Sequence, residues 1–221
     1  MKFVKGGNTM VYCLFEQSGT FKNIFKSKGI DAIDIDIENQ FNQTDLIIDL
    51  FSAIHKLPNG ILGDIKSSDM IIAFFPCTWF CDNNMLLLSG KAIQMKKWTD
   101  EQKKAYIRNR RKERVYAYYT LLKLIRHCNK YKIPLIIENL VSHYLISTLG
   151  KYTIAHRRDR YGDDLQKRTM YYCYNCAINE SKMQLYNNQV TGNQIQKRRG
   201  IKRSLISPVY AENIINSIER W

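Results

Sequence analysis

The chain has 221 residues, 45% of them hydrophobic, and 34 Lys and Arg against 20 Asp and Glu leave a formal net charge of +14. This length and apolar content suit one domain with a sizeable core and exclude disorder as the default. No apolar run approaches the roughly 20 residues of a membrane span. The opening residues 1–7 lack a signal-peptide apolar stretch, so a cytoplasmic protein with six reduced cysteines is expected. The basic excess favours a polyanionic partner, nucleic acid before a membrane surface.

Residues 11–15 read as a first strand, followed by a turn-forming stretch at 16–20. A short amphipathic helix comes next, with Phe21, Ile24 and Phe25 on one side and Gly29 at its end. Residues 32–36 read as a second strand, with Asp34 and Asp36 on one face or at its end. This strand–turn–helix–strand opening is a mononucleotide-binding pattern. A third strand is expected at 46–49, then a helix through Phe51, Ile54 and Leu57, a turn at 58–60 and a fourth strand at 70–74. Residues 78–98 read as a long loop of functional length. Residues 99–102 form a capping box before a long helix, whose buried stripe is expected at Val115, Tyr119, Leu122 and Ile125. The first half of that helix is strongly basic and includes Arg108, Arg110 and Arg111. A fifth strand starts at Pro134, a late strand covers 169–173, a polar loop covers 187–200 and a closing helix covers 211–221.

Pro76-Cys77 ends the fourth strand and Glu138-Asn139 ends the fifth. In an open parallel sheet, ligands bind in the crevice at such strand ends. A thiol and a carboxyl group delivered to one crevice are the pair that covalent attack on a pyrimidine ring requires. Cys173-x-x-Cys176 invites a zinc reading, but the other cysteine pair, Cys77 and Cys81, would consume the nucleophile, so no metal is expected.

Taken in order, these motifs resemble the DNA cytosine carbon-5 methyltransferases, in a compact phage-type form. Phe15-Glu16-Gln17-Ser18-Gly19 resembles the family's first motif at the methyl-donor site, Phe75-Pro76-Cys77 its nucleophile motif and Glu138-Asn139-Leu140 its Glu-Asn-Val motif. Residues 161–168 resemble the Gln-x-Arg motif, and Arg203-Ser204 with residues 208–211 resemble the last one. The resemblance covers residue 11 to the C-terminus. It departs from the family at Gln17, where a glycine is usual, at Thr78, and at Met170, where a second arginine is usual. The span between Arg168 and the last motif is too short for an independent folded module, so residues 177–200 stand as a reduced insertion in place of a target recognition domain.

The resemblance implies an α/β fold of the Rossmann-like class I S-adenosylmethionine-dependent type, one domain over 1–221, with a mostly parallel seven-stranded sheet flanked by helices. It implies S-adenosylmethionine held by Phe15, Glu16, Ser18, Gly19, Thr20, Asp36, Asp49 and Pro76. Cys77 would be the nucleophile at ring carbon 6, Glu138 the group that holds a proton at ring nitrogen 3, Asn139 a brace, and Arg168 a cation beside the thiol. The target atoms are hidden inside a duplex, so the base would be flipped out or presented single-stranded. Arg108, Arg110, Arg111, Arg157, Arg158, Lys197, Arg198 and Arg199 would track a phosphate backbone, with Trp79, Trp98 and tyrosines as stacking groups. DNA is the expected polymer, with RNA or a free nucleotide as alternatives. An idle nucleic-acid-binding protein of the same fold is the reading from another class. A nicotinamide-dependent oxidoreductase is third, because it gives the Pro-Cys pair no role.

Overall fold

A computed structural model describes residues 9–82, 85–186 and 205–220. A central sheet contains β1 (Met10–Leu14), β2 (Asp31–Asp36), β3 (Leu46–Ile47), β4 (Met70–Phe74), β5 (Leu135–Leu140), β6 (Ile154–Arg157) and β7 (Arg168–Tyr174). The helices are α1 (Thr20–Ser27), α2 (Leu50–His55), α3 (Met85–Leu88), α4 (Asp100–Tyr131), α5 (His143–Leu149) and α6 (Pro208–Ser217).

The seven strands run in the order β3-β2-β1-β4-β5-β7-β6. The β1–β2, β1–β4, β2–β3 and β4–β5 pairs are parallel, while β7 runs antiparallel to both β5 and β6. The expected mostly parallel α/β sheet is therefore present.

The apolar runs of β1, β4 and β5 are buried on both faces, as strands covered by helices must be. Their alternation sends Leu14, Ile71, Ala73, Leu135 and Ile137 toward α2, α4 and α5. Val11, Cys13, Met70, Ile72 and Ile136 face the opposite way, toward Phe21 and Phe25 of α1 and Ile214 and Ile215 of α6. The result is three layers with a core on each side of the sheet.

Three sequence expectations are corrected here. The buried side of α4 is Ala117, Thr120, Leu121, Leu124, Ile125 and Cys128, whereas Val115 and Tyr119 are 50% and 58% exposed. Apolar spacing alone predicts one stripe along the helix, but the sheet selects a neighbouring one that includes small and polar residues. The closing helix also stops at Ser217. Ile218–Arg220 forms β9, antiparallel to β8 (Cys176–Ile178), because its backbone finds that partner next to β7. Residues 177–183, expected within an insertion, are built into the body: Ile178 and Met183 are buried in the α1–α6 core. Residues 187–204, including Lys197, Arg198, Arg199, Arg203 and Ser204, lie outside the described residues.

Candidate active site

The strand order reverses between β1 and β4, which places a crevice beyond the carboxyl ends of these strands. On the β1 side, Phe15 takes a left-handed conformation (φ 60°) and packs against Phe75, with ring centroids 4.7 Å apart, and against Phe51 at 5.7 Å. Gly19 is also left-handed (φ 67°) and opens α1. Glycine has no side chain to cap the helix, and Glu16 supplies the cap: its Oε1 accepts from the Phe21 amide at 3.1 Å and from the Ser18 hydroxyl at 2.9 Å. Glu16 is thus 7% exposed and committed to the helix start. The Ser18 and Thr20 hydroxyls are 2.8 Å apart and half-buried at the same turn.

Asp36 ends β2, with one carboxylate oxygen 2.9 Å from the Glu38 amide. Burial raises its pKa. Its neighbours Ile37 and Ile47 are 61% and 63% exposed, so a carboxylate is flanked by uncovered apolar surface. Asp49 is the N-cap of α2; it accepts from the Phe51 and Ser52 amides at 3.0 and 3.3 Å and from the Ser52 hydroxyl at 2.6 Å. Its carboxylate is engaged in capping.

On the β4 side, Pro76 leads into a 3-10 turn over Cys77–Trp79, with the Phe80 and Cys81 amides donating to the Cys77 carbonyl. Three clamps hold this turn. Asn139, fully buried, donates to the Phe75 carbonyl at 2.8 Å. The Ser142 hydroxyl donates to the Phe80 carbonyl. Arg110 reaches from α4 to the Thr78 carbonyl at 3.0 Å and also bonds Glu113. Register pairs Phe74, the last residue of β4, with Glu138, which lies inside β5 rather than at its end as expected, since β5 runs on to Leu140.

Cys77 and Glu138 share one electrostatic environment. Burial, then the Cys81 thiol, then Glu138 push the Cys77 thiol up to about 11, against the pull of Lys167. Burial also raises the Glu138 carboxyl, opposed by Arg158, Lys167 and Thr169. Half-buried Lys167 is lowered by burial and by Arg158, while Glu138 and Cys77 hold its proton on. A thiol, a carboxyl and an ammonium thus act on one another electrostatically, and the Arg158 guanidinium acts on the last two.

That arrangement corrects the cation assignment. Arg168 is exposed at the head of β7, in register with Arg157. Strand alternation turns it away and turns Thr169 inward, and Lys167, just before the strand, takes the inner position. Arg158, expected at a phosphate-tracking surface, is 2% exposed; it bonds the buried Asp163 and the Leu205 carbonyl. Arg157 is tied to Asp159 at 3.1 and 2.5 Å. The inward cations carry no separate sequence signal, because a basic run reads as a solvated face. Ser142 is readable as a helix N-cap, but its second role on the Cys77 turn is not.

No protein-family model matches the chain. A search of curated proteins also finds no match.

A groove of about 840 Å³ is lined on α4 by Lys104, Ile107, Arg108, Arg111, Lys112, Val115, Tyr116 and Tyr119. Tyr116 is 48% exposed yet held in place, stacked on His55 at 4.8 Å and on Phe51 at 5.8 Å. Trp79 is half-buried against Phe51 at 5.2 Å, and Trp98 sits half-buried against Tyr106. The exposed aromatic surface of this face therefore belongs to Tyr116 and Tyr119. Among the described residues no helix is long and apolar enough to cross a membrane.

Proposed function

We propose that this protein is an S-adenosylmethionine-dependent methyltransferase acting on carbon 5 of cytosine, most naturally in DNA, through a covalent cysteine mechanism. What supports the reading is the register that sets Phe74, three residues before Cys77, beside Glu138, with the Cys77 turn braced by Asn139 next to the switch point of the sheet. The residues there suit a nucleoside-bearing donor. Asp36 would take the ribose hydroxyls, exposed Ile37 and Ile47 the flat base, and the turn from Phe15 to Thr20 the rest. When bound, S-adenosylmethionine supplies the methyl group.

The chain's own contribution begins with the Cys77 sulfur, which adds to ring carbon 6 and makes carbon 5 nucleophilic. Glu138, its pKa raised by burial, holds a proton at ring nitrogen 3 as negative charge builds there. Lys167 favours the thiolate and is itself held charged by Glu138 and Cys77. Asn139, Ser142 and Arg110 keep the Cys77 turn from drifting relative to β5. Cys77 departs when a base, water in the simplest case, takes the carbon-5 proton. The basic α4 face, with Arg108, Arg111 and Lys112 beside Tyr116 and Tyr119, suits a phosphate backbone and a stacked base.

Incubation with labelled donor and cytosine-containing DNA, RNA or nucleotide is expected to transfer label, most strongly to DNA, and Cys77→Ala is expected to abolish transfer. No label on any of the three substrates would reject the enzyme reading. The raised Cys77 thiol favours a second reading, an idle nucleic-acid binder with this fold. Calorimetry with S-adenosylmethionine separates them: micromolar donor binding belongs to the enzyme and its loss to the binder.

A further inference from the structure

Cys13, Glu16 and Asp34 meet beneath the first turn of α1. Register pairs Cys13 of β1 with Asp34 of β2, on the side of the sheet that α1 covers. Glu16 follows β1 by two residues and folds back to cap α1 through its Oε1, which leaves Oε2 unused. One donor atom from each residue, a sulfur and two carboxylate oxygens, lies within 4.8 Å of the others. No ligand spacing in the sequence signals this group, because strand register and a helix cap bring it together.

The site is dry and short of positive charge. Cys13 and Asp34 are fully buried, and Glu16 is nearly so. Among the described residues, Glu16 Oε2 and both Asp34 carboxylate oxygens are buried without a hydrogen-bond partner. Carboxylates left this way are costly and call for a cation or a proton. Lys22 supplies an ammonium 3.8 Å from Asp34, but it lies nearer to Asp45, at 3.0 Å, and donates to the Gln43 carbonyl. One ammonium is therefore shared between two carboxylates before Glu16 is counted.

The donor types select the ion. Magnesium and calcium take oxygen ligands, whereas a thiolate beside two carboxylates suits zinc and its divalent neighbours. Around a tetrahedral zinc ion such donors sit roughly 3.3–3.6 Å apart, so small side-chain rotations close the site. We propose that Cys13, Glu16 and Asp34 bind a divalent transition-metal ion of the zinc class, which pins the start of α1 to β1 and β2. The Cys13 thiol gives its proton to solvent as the sulfur joins the metal, and no electron is transferred. The anionic ligands exceed the charge of the ion by one, and the Lys22 ammonium offsets that excess. Water would fill the remaining coordination position.

The test uses the intact chain without a histidine tag, stripped with chelator and titrated with zinc, or with cobalt as a coloured substitute. Expected are a single equivalent of zinc retained through gel filtration, a urea midpoint that rises with free zinc, and a sulfur-to-cobalt charge-transfer band in the near ultraviolet. Asp34→Asn keeps the side-chain shape and mimics the protonated group, so it is expected to fold yet lose the ion. The Cys173→Ser/Cys176→Ser chain and Cys81→Ser are expected to keep both ion and band. A wild-type chain that retains no zinc overturns the proposal and leaves a proton on Asp34 to answer the charge. An ion held equally well by Asp34→Asn, or lost with Cys81 or with Cys173 and Cys176, also overturns it. These measurements need no donor or nucleic acid, so the outcome is independent of the methyltransferase reading.

Discussion

Cys77, the proposed nucleophile, is held largely in its protonated form. With its thiol near 11, the reactive thiolate grows with pH throughout the neutral and mildly alkaline range. Alkylation of Cys77 by iodoacetamide is therefore expected to rise about tenfold per pH unit between roughly pH 7 and 9. Lys167→Met removes the cation that opposes burial and is expected to slow that reaction severalfold at fixed pH; an unchanged rate would show that Lys167 does not act on the sulfur. In the metal-free protein Asp34 carries the opposite lesson, next to Glu16 at the start of α1. Burial, then Glu16, raise its carboxyl to about 8, although Lys22 lies 3.8 Å away. A carboxyl raised in the folded state binds its proton more tightly there than in the unfolded chain. Its stabilising share is complete below about pH 4 and is lost as pH rises toward 8. Asp34→Asn, which mimics the protonated group, is expected to flatten stability between those limits and to raise it at the upper end by about 1–3 kcal/mol, read by urea unfolding at several pH values.

The ends of elements carry more of the site than their interiors. α1 begins at a left-handed glycine, and a Cβ on Gly19 would lie 2.9 Å from the Gln43 side chain and 3.1 Å from Asn23. Gly19→Ala is expected to cost about 1–2 kcal/mol from the backbone conformation alone and to weaken donor binding in calorimetry, because the turn beside Ser18 and Thr20 must move. The short turn after β6 is anchored by Arg158, which joins Asp163 to the chain entering α6. Ser207, the N-cap of α6, ties back to the same region by donating to the Gly162 carbonyl at 2.6 Å. Arg158→Met leaves the buried Asp163 carboxylate without its guanidinium, with the Leu165 amide still donating to it, and is expected to destabilise the fold by about 3–5 kcal/mol. Adding Asp163→Asn should recover part of that loss, a coupling that denaturant midpoints of the four proteins measure.

Across the molecule, the positive excess is arranged unequally. Arg110 is spent on the Cys77 turn, Arg157 on Asp159 and Arg158 on Asp163, while Lys104, Arg108, Arg111 and Lys112 stand along one groove on α4. Nucleic-acid affinity is expected to fall as salt rises. Reversing Arg108 and Arg111 to Glu should flatten the plot of log affinity against log salt by roughly one unit for each phosphate no longer neutralised. Tyr116→Ala is expected to weaken single-strand binding by about 1–3 kcal/mol while leaving the salt slope in place. An unchanged affinity in both variants would move the nucleic-acid face off α4.

The parallel strands and the long capped helix were legible in the sequence because each is a local pattern; Pro76 does follow β4, whereas Glu138 and Asn139 lie inside β5, which runs on to Leu140. Apolar runs bounded by turns mark β1, β4 and β5, and Thr99 and Gln102 make the reciprocal capping bonds expected of them, at 2.9 and 3.3 Å. Only the tertiary structure decided which arginines face inward, that Lys167 rather than Arg168 joins Cys77 and Glu138, that Glu16 and Asp49 cap helices, and which stripe of α4 is buried. Those outcomes depend on register and on long-range partners. A charged side chain one position along a strand changes face, and its fate is set by whichever group waits on the neighbouring element.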